Sequence, residues 1–476
     1  MKNLITSSVF YRHRHVIGLF VAAIFLYYFI VFGFARIPVG LSELEITSAT
    51  LSGNFSFPGS IVDLPYHALQ WLSIQIFTLS TFAIRLPSII LAIASGLLII
   101  ATVRSLFRTN VAIITGFVVA SSVFFLDIAR TGAPMSMMIF LGILAIFAIS
   151  KYMAGEKAKT LWQIILVLAL TLGVYSPLGI YLFIAYILAA VLHPRARLAV
   201  RGFKVLQFII AGVVGGLLLL PLVLAIISDP AILFTLLGAN GFALSAQQIL
   251  TNLGALVSFH STAVFGLVTP LISFAELAIV TIGIVRLIRD RHSARSYLIL
   301  CITGLTLLLA ILNNSQTYIF FVPVIFLIAI GIQTLIEGWY SLFPFNPYAR
   351  LFGLVPLTIL IGGLVITNHD RYIDANLYDS NVVYGRSLDF ELIKKAVNKH
   401  SGHTVDLVVG RDERDFYKLL EREYGNLKVT EAIGKRADTI ILTRQTFSLR
   451  SGQAPTSVIT NSNSKDNIAA KVYEKK

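Results

Sequence analysis

Two stretches of this chain put acids and bases where they are costly. The first starts at Ser42-Glu43-Leu44-Glu45, runs through Asp63-Leu64-Pro65-Tyr66-His67 and closes with Ala83-Ile84-Arg85-Leu86-Pro87-Ser88. The second is Leu126-Asp127-Ile128-Ala129-Arg130. Both border long hydrophobic runs. A charged side chain at membrane depth is expensive enough to mark a function or a buried pair. Carboxylates can take and return protons, and guanidiniums hold anions through a rigid fork of donors. Two such loops on one face suggest a site that opens outward. Each residue also has a plainer reading. Ser42 and Glu45 have capping-box spacing, so Glu45 can close the start of a helix near Leu44. Glu43 suits a solvated first-turn acid, and Arg85 an anchor that snorkels at a span's end. Asp127 and Arg130, three residues apart, would share a helical face and can pair with each other. A lone His67 is commonly just a hydrogen-bonding residue.

The elements that must position these residues are membrane helices. Of 476 residues, 56% are hydrophobic and 13% charged, with mean hydropathy +0.81. A soluble domain carries about 25% charged residues. Apolar runs of about 20 residues are long enough to cross a hydrocarbon layer of about 30 Å. Eleven runs qualify as candidate spans: roughly 16–35, 86–103, 110–126, 133–150, 160–176, 178–192, 205–227, 263–288, 296–312, 317–336 and 351–367. The fifth and sixth are separated by little more than Ser176-Pro177, which suggests a tight hairpin or a re-entrant segment. The first run is too long for a cleavable signal, and no small-residue cleavage site follows it. Cys301 lies within a span and reads as a packing residue.

The net charge of +14 invites a nucleic-acid partner, but its distribution argues against one. With a cytoplasmic N-terminus, the inner loops hold Arg104, Arg108, Lys151, Arg195, Arg286, Arg295 and more, whereas the outer loops hold Arg36, Arg85 and Arg130. That asymmetry is the positive-inside pattern. An odd number of spans then puts the C-terminal region outside.

Three outer segments exceed turn length. In 36–85, Leu64, Ala68, Trp71, Leu72, Ile76 and Leu79 recur at helical spacing, with His67, Gln70 and Ser73 elsewhere on the wheel. The spacing predicts an interfacial helix over 64–80. Segment 228–262 is apolar for a loop, which suits a lid or interfacial helix beside a lipid substrate, or a loop packed on its neighbours. Segment 368–476 holds 15 of the chain's 24 acids. Helices near 387–400 and 412–424 and strands at 405–409 and 439–442 predict a small α/β domain, with a flexible stretch at 450–469. No glycine-rich phosphate loop and no catalytic constellation stand out there, so support or partner contact is its expected role. Glu276, inside a span, suits a structural pair or a polar cavity. Asn313, Asn314 and Gln316 suit either sugar contact or turn chemistry.

The order of these signals resembles the GT-C glycosyltransferases, in particular the group of protein O-mannosyltransferases and lipid A aminoarabinose transferases. The resemblance rests on a span, an acidic loop, a proline-containing amphipathic helix, Phe82-Ala83-Ile84-Arg85-Leu86-Pro87-Ser88 and then Ser121-Ser122-Val123-Phe124-Phe125-Leu126-Asp127-Ile128-Ala129-Arg130. It covers residues 16–150 well and the rest more loosely. It implies an all-α polytopic membrane protein with 1–367 as the transmembrane part, interfacial helices in the first outer loop, and 368–476 as an extracytoplasmic α/β domain. It implies transfer of a sugar from a polyprenyl-phosphate carrier to a glycan, lipid or protein acceptor at the outer face, with membrane lipids as partners and no nucleic acid. Glu45 or Glu43 would be the base, and Arg85, Arg130, His67, Asp127 and Asp63 would contact substrate. No cofactor is implied. No residues have metal-ligand spacing, although two acids and a phosphate can hold a divalent ion.

Three positions depart from the family pattern. Its acidic pair is Leu44-Glu45 here. Asp63-Leu64-Pro65 stands where a basic residue often precedes the proline. Met135, not an acid, lies five residues after Arg130. The departures keep two other readings open: a relative without transferase activity that binds lipid-linked substrate or scaffolds the envelope, and a transporter. The lack of an obvious inverted repeat counts against the transporter.

Overall fold

The computed structural model describes residues 20–21, 23–32, 37–155, 158–194, 197–198, 205–242, 245–257, 262–264, 267–343, 345–434, 437–450, 453–461 and 467–474. Arg36 lies outside them, as do the side chains of Asn314 and Gln316. The first run is helical over 23–31 (α1) and ends in a π-turn, Tyr27–Val31. The outer loop then forms strand β1 (Leu41–Ser42), helix α2 (Glu43–Gly53) and helix α3 (Leu64–Phe77). Both halves of the expected capping box are present: Ser42 caps the Glu45 amide, and Glu45 reaches back to the Ser42 amide.

The long helices follow. Helix α4 (Thr81–Leu106) is capped by Ser80. Helices α5 (Thr109–Ser121) and α6 (Val123–Arg130) meet at a 64° bend, where Ser122 ends one and caps the other. Then come α7 (Met135–Met153), α8 (Lys159–Gly173), α9 (Gly179–Leu192) and α10 (Val205–Ser228). The second outer segment forms α11 (Ala231–Leu236) and α12 (Ala246–Leu256). It is pinned to its neighbours by hydrogen bonds: the Leu178 amide donates to Leu236, Tyr181 to the Leu237 carbonyl, Asn252 to the Ile311 carbonyl and Asn313 to the Gly238 carbonyl. Phe234 and Leu250 still face outward. Hairpin β2–β3 (Thr262–Val264, Leu267–Thr269) precedes α13 (Phe274–Arg289). The eighth helix therefore starts at Phe274 rather than near 263, because Ser273 and Glu276 form a second capping box there. Helices α14 (Ala294–Leu312), α15 (Phe321–Leu342) and α16 (Pro347–Tyr378) complete the bundle.

Helix occurs in all eleven expected runs. Among the described residues, six helices are long and apolar enough to cross a membrane, or seven if the bent α5–α6 pair is one span. Helices α8 and α9 are apolar but shorter. Helix α15 is the bundle's axis, buried continuously from Phe321 to Ile332. It crosses α13 at two glycines: a methyl on Gly283 would collide with the Leu327 carbonyl, and one on Gly331 with the Ile279 carbonyl. Lipid offers no hydrophobic driving force between helices, so close backbone approach through small residues supplies the contact.

One feature departs from expectation. Helix α16 runs unbroken past residue 367, so the expected domain boundary falls inside it. The chain leaves it at Asp379, makes a short helix α17 (Ser380–Val383), and β4 (Arg386–Ser387) pairs antiparallel with β1. Beyond lie α18 (Asp389–Lys399), β5 (Val405–Val408), α19 (Arg414–Glu421), β6 (Leu427–Thr430), β7 (Thr439–Thr443), β8 (Ser457–Thr460) and β9 (Ile468–Glu474). The sheet order is β6-β5-β7-β9-β8, parallel through β6-β5-β7 and antiparallel beyond. Strand β8 thus occupies part of the stretch expected to be flexible. This unit shares one core with the first loop: Leu41, Ala49, Ile74, Ala83 and Ile84 cluster with Phe390, Ile393, Phe416 and Leu420.

The polarity of α3 is that of an interfacial helix. The helix has nearly the expected extent, and Trp71, Leu72 and Ile76 are exposed while Tyr66, His67, Gln70 and Ser73 are buried. Its polar face points into the protein and its apolar face outward, as suits a helix lying on lipid.

Replacing Gly331 by Val should lower unfolding stability in detergent by about 1–3 kcal/mol through overpacking of α13 against α15. Replacing the lipid-side Gly362, which has open space around it, should cost less. Equilibrium denaturation of both variants checks the pair.

Candidate functional site

The site grows from the Glu45 carboxylate. Its helix starts at residue 43, so Glu45 points back over the first turn toward β1. There it is fully buried. Arg85 Nε donates to Oε1 at 2.7 Å and Nη2 to Oε2 at 3.2 Å. The Gly132 amide donates to Oε1 at 2.9 Å and the Ser42 amide to Oε2 at 2.9 Å. Arg386 Nη1 stands 3.5 Å from Oε2. Arg85 comes from the first turn of α4, and its remaining donors go to the carbonyls of Pro38 and Gly40. Gly40 has φ +79°, and a side chain there would strike the Ser387 backbone at 2.7 Å, so glycine is what lets β1 and β4 close. Burial alone would raise the Glu45 carboxyl; the charge and hydrogen bonds of Arg85, then Arg386 and the Gly132 amide, outweigh it and hold the carboxyl below its ordinary value. A saturated, depressed carboxylate is a poor general base. In this structure Glu45 ties together the loops around it. Glu43, two residues away, is exposed.

Asp127 is also fully buried. It does not pair with Arg130, as their spacing suggests. Arg386 Nη2 donates to Oδ1 at 2.8 Å and the Val268 amide to Oδ2 at 2.7 Å. Both residues lie within α6, but each is taken by a more distant partner. Arg130 donates to the carbonyls of Phe29, Phe32 and Ile37 at 2.7, 2.9 and 3.3 Å, which fastens the end of α1. Its guanidinium lies 5.3 Å over the Tyr372 ring. Arg130 Nε and the Tyr372 hydroxyl, both buried, have no hydrogen-bond partner among the described residues. Arg85, Arg130, Arg386, Asp127 and Tyr372 lie within electrostatic reach of one another. Three guanidiniums therefore face two directly bonded carboxylates. The next acid outward, Glu391, is bonded to Thr81.

Arg386 and Tyr372 were not legible as site residues. Arg386 is one of many charges in a polar tail, and only the β1–β4 pairing brings it to Glu45. Tyr372 lies just past the expected end of the last span, on helix that in fact continues.

His67 enters a structural network. Ser52 donates to Gln70 at 2.7 Å, which leaves its oxygen to accept from His67 Nδ1 at 2.8 Å. Gln70 in turn donates to the carbonyls of Ile84 and Gly132. Burial pushes His67 down to about 4, so the ring stays neutral. Asp63 caps the start of α3 at φ 55°. Its amide donates to Tyr175 at 2.9 Å and its carboxylate is bonded by Ser176, on the turn joining α8 to α9. Burial pushes it up to about 7. Tyr66 is in electrostatic range of both Asp63 and Glu45. Glu276 accepts from Asn368 at 2.9 Å and from the Ser273 amide, the structural pair expected of it. Asn313 is buried and committed to Gly238, which favours turn chemistry over sugar contact. Among the described residues, no group of three or more His, Cys, Asp or Glu could hold a metal ion.

Residues 65–225 match the family model for dolichyl-phosphate-mannose-protein mannosyltransferase. The matched stretch contains Arg85, Asp127 and Arg130 but neither Glu43, Glu45 nor Arg386. No curated protein matches. Solved structures do. ArnT from Cupriavidus metallidurans bound to undecaprenyl phosphate is 12% identical with a TM-score of 0.59, over 98% of both chains. The Archaeoglobus fulgidus oligosaccharyltransferase tethered to an acceptor peptide is 13% identical with a TM-score of 0.52, over 88% of this chain and 64% of its own. The archaeal enzyme in complex with an inhibitory peptide and a dolichol-phosphate scores 0.50 at 13% identity.

Replacing Glu45 by Gln, or Arg386 by Ala, should cost about 3–5 kcal/mol, because each leaves a buried opposite charge without its partner. Unfolding titrations in detergent measure it. A second expectation concerns pH. Unfolded His67 takes a proton near 6.5, whereas the folded ring resists until about 4, so acidification across that window removes stability. Asp63 acts oppositely: folded, it takes a proton near 7, unfolded near 3.8, so acidification adds stability. The two offset in the intact protein. Asp63→Asn should lose unfolding midpoint as pH falls from 7 to 4, and His67→Asn should gain it. Like slopes in the two variants would contradict the assignment.

Proposed function

We propose that this chain, which has the GT-C glycosyltransferase fold, transfers a sugar from a polyprenyl-phosphate carrier to an acceptor at the outer face of a cell membrane. The observation that carries the reading is the charge imbalance beside α1. Arg130 has no carboxylate partner among the described residues, and its Nε and the neighbouring Tyr372 hydroxyl lack hydrogen bonds. Buried donors of that kind need an anion or an acceptor to complete them. The phosphate of a departing lipid carrier is such a group. The fold supports the same reading, since the ArnT structure over whose full length it extends holds undecaprenyl phosphate.

The roles divide as follows. Arg130 and Tyr372 meet the carrier phosphate. Glu45, Arg85, Asp127 and Arg386 fix the loops around it. The acceptor hydroxyl loses its proton to Asp63 or Glu43, the acids left outside the sealed cluster. Asp63 is the stronger candidate by acidity, because burial pushes its carboxyl up to about 7 and general bases work best near ambient pH. The outward apolar face of α3 and the exposed residues of α11 and α12 border the carrier chain. The N-terminus is cytoplasmic and the C-terminal unit extracytoplasmic, in keeping with the charge distribution.

A second reading has its own support. With Glu45 sealed and saturated, the family's acidic loop does no proton transfer here, as expected of a relative that binds the lipid carrier without transferring sugar.

Transfer of labelled sugar from polyprenyl-phosphate donors by reconstituted protein separates the two. On the first reading, Tyr372→Phe should raise the donor KM about tenfold with little change in kcat, the loss of one charged-site hydrogen bond of about 1.5 kcal/mol. Asp63→Asn should lower kcat by about 100-fold or more, and Glu43→Gln should not. Carrier binding without transfer by the intact protein favours the second reading.

A further inference from the structure

A cavity of about 420 Å³ lies at the end of the bundle opposite the Glu45 cluster. Helix α4 connects the two: Arg85 is at its start and Leu106, in the cavity wall, at its end, roughly 30 Å along the axis. The wall is almost wholly apolar, with Ile146, Leu170, Tyr186, Ile187 and Leu298 prominent. Tyr186 turns its hydroxyl away to the Gly142 carbonyl. A water needs two to four polar partners, and even an apolar cavity of about 150 Å³ stays dry and takes a hydrocarbon instead. Water is therefore not what fills this space. The side between α8 and α9 is open to the bilayer, with Ile187 and Phe183 exposed beside it.

Among the described residues, the charged group in the wall is Arg295, in the first turn of α14. It donates from Nη1 to the Leu106 carbonyl at 2.6 Å and lies 4.5 Å over the Phe107 ring. No carboxylate lies within salt-bridge distance of it among the described residues. The acids in its neighbourhood, Asp290 and Glu337, are engaged elsewhere: Arg286 holds Asp290 at 2.7 Å and reaches Glu337 at 3.8 Å, and Gln333 donates to Glu337 at 2.6 Å. The helix ends around the opening add Arg104 and Lys151. An apolar slot that opens to lipid beneath a partly committed guanidinium matches a lipid with a negative headgroup, and basic pockets between helices on the arginine-rich side of a membrane protein bind such headgroups.

We infer that this cavity holds an acyl chain of an anionic glycerophospholipid from the leaflet on the arginine-rich side, with its phosphate met by Arg295. The site is independent of the transferase reading. A polyprenyl carrier has its phosphate at the far end of α4 and does not compete for it. The lipid wedges α8 and α9 against α4, α7 and α14, so occupancy also holds two short helices in place.

Native mass spectrometry of the full-length protein, titrated with phosphatidylglycerol, phosphatidylcholine of the same acyl chains and undecaprenyl phosphate, tests this. Phosphatidylglycerol should bind about five-fold tighter than phosphatidylcholine, the effect of one cation near the headgroup. Ile187→Trp, which fills the mouth from an exposed position, should weaken phosphatidylglycerol about tenfold. Arg295→Gln should remove the headgroup preference, and Arg295→Lys should keep it. Monodisperse elution and an unfolding midpoint like that of the parent without added lipid show that the variants fold. Unchanged binding in Ile187→Trp, an unchanged preference in Arg295→Gln, or loss of undecaprenyl phosphate binding in Ile187→Trp would each overturn the inference.

Discussion

The buried Glu45 carboxylate organises the outer half of this protein. Three segments distant in sequence meet on it, the start of α4 through Arg85, the Gly132 turn and the C-terminal β4, beside its own cap at Ser42. A carboxylate at this depth is tolerable only with such company, since an isolated buried charge is costly. The same need is what draws Arg386 in from the tail. Once it bridges Glu45 and Asp127, β4 pairs with β1 and the C-terminal sheet is committed to lie on the first loop.

That commitment explains why the soluble-looking region is not an appendage. Its helices α18 and α19 share apolar core with α2, α3 and the head of α4, and polar pins reinforce the joint. Arg422 donates to Gly53 and Asn54, Thr81 to Glu391, and Lys394 and Glu423 close on the Leu79 backbone. The polarity of α3 follows from the same geometry. With protein above and lipid beside it, its polar face supplies hydrogen bonds to Ile84 and Gly132 while its tryptophan and leucines meet the bilayer.

The outer cluster differs from a purely structural knot in one respect. Its carboxylates are satisfied by two arginines, and a third, Arg130, is spent on backbone carbonyls beside a tyrosine hydroxyl with no hydrogen-bond partner among the described residues. Structural clusters tend to saturate every donor. Among the described residues, the Arg130 Nε and the Tyr372 hydroxyl are left without an acceptor at the junction of α1, α6 and α16.

Composition and patterning settled the membrane class, the helical runs and the capping box at Ser42–Glu45, because hydropathy, span length and local caps are encoded within a few residues of one another. The identity of the costly charges was legible for the same reason: Glu45, Arg85, Asp127 and Arg130 stand out against apolar surroundings. Their partners were not. The i,i+3 spacing of Asp127 and Arg130 implied a pair, but Arg386 takes Asp127 and the carbonyls at the end of α1 take Arg130. The amphipathic spacing of α3 gave its period but not which face meets protein. Arg386 and Tyr372 joined the cluster through a strand pairing across more than 340 residues and through a helix that ran on past its hydrophobic segment. Sequence alone fixes what each residue must avoid, since desolvation is a local cost. Which distant group relieves that cost depends on long-range packing, and only the tertiary structure decides it.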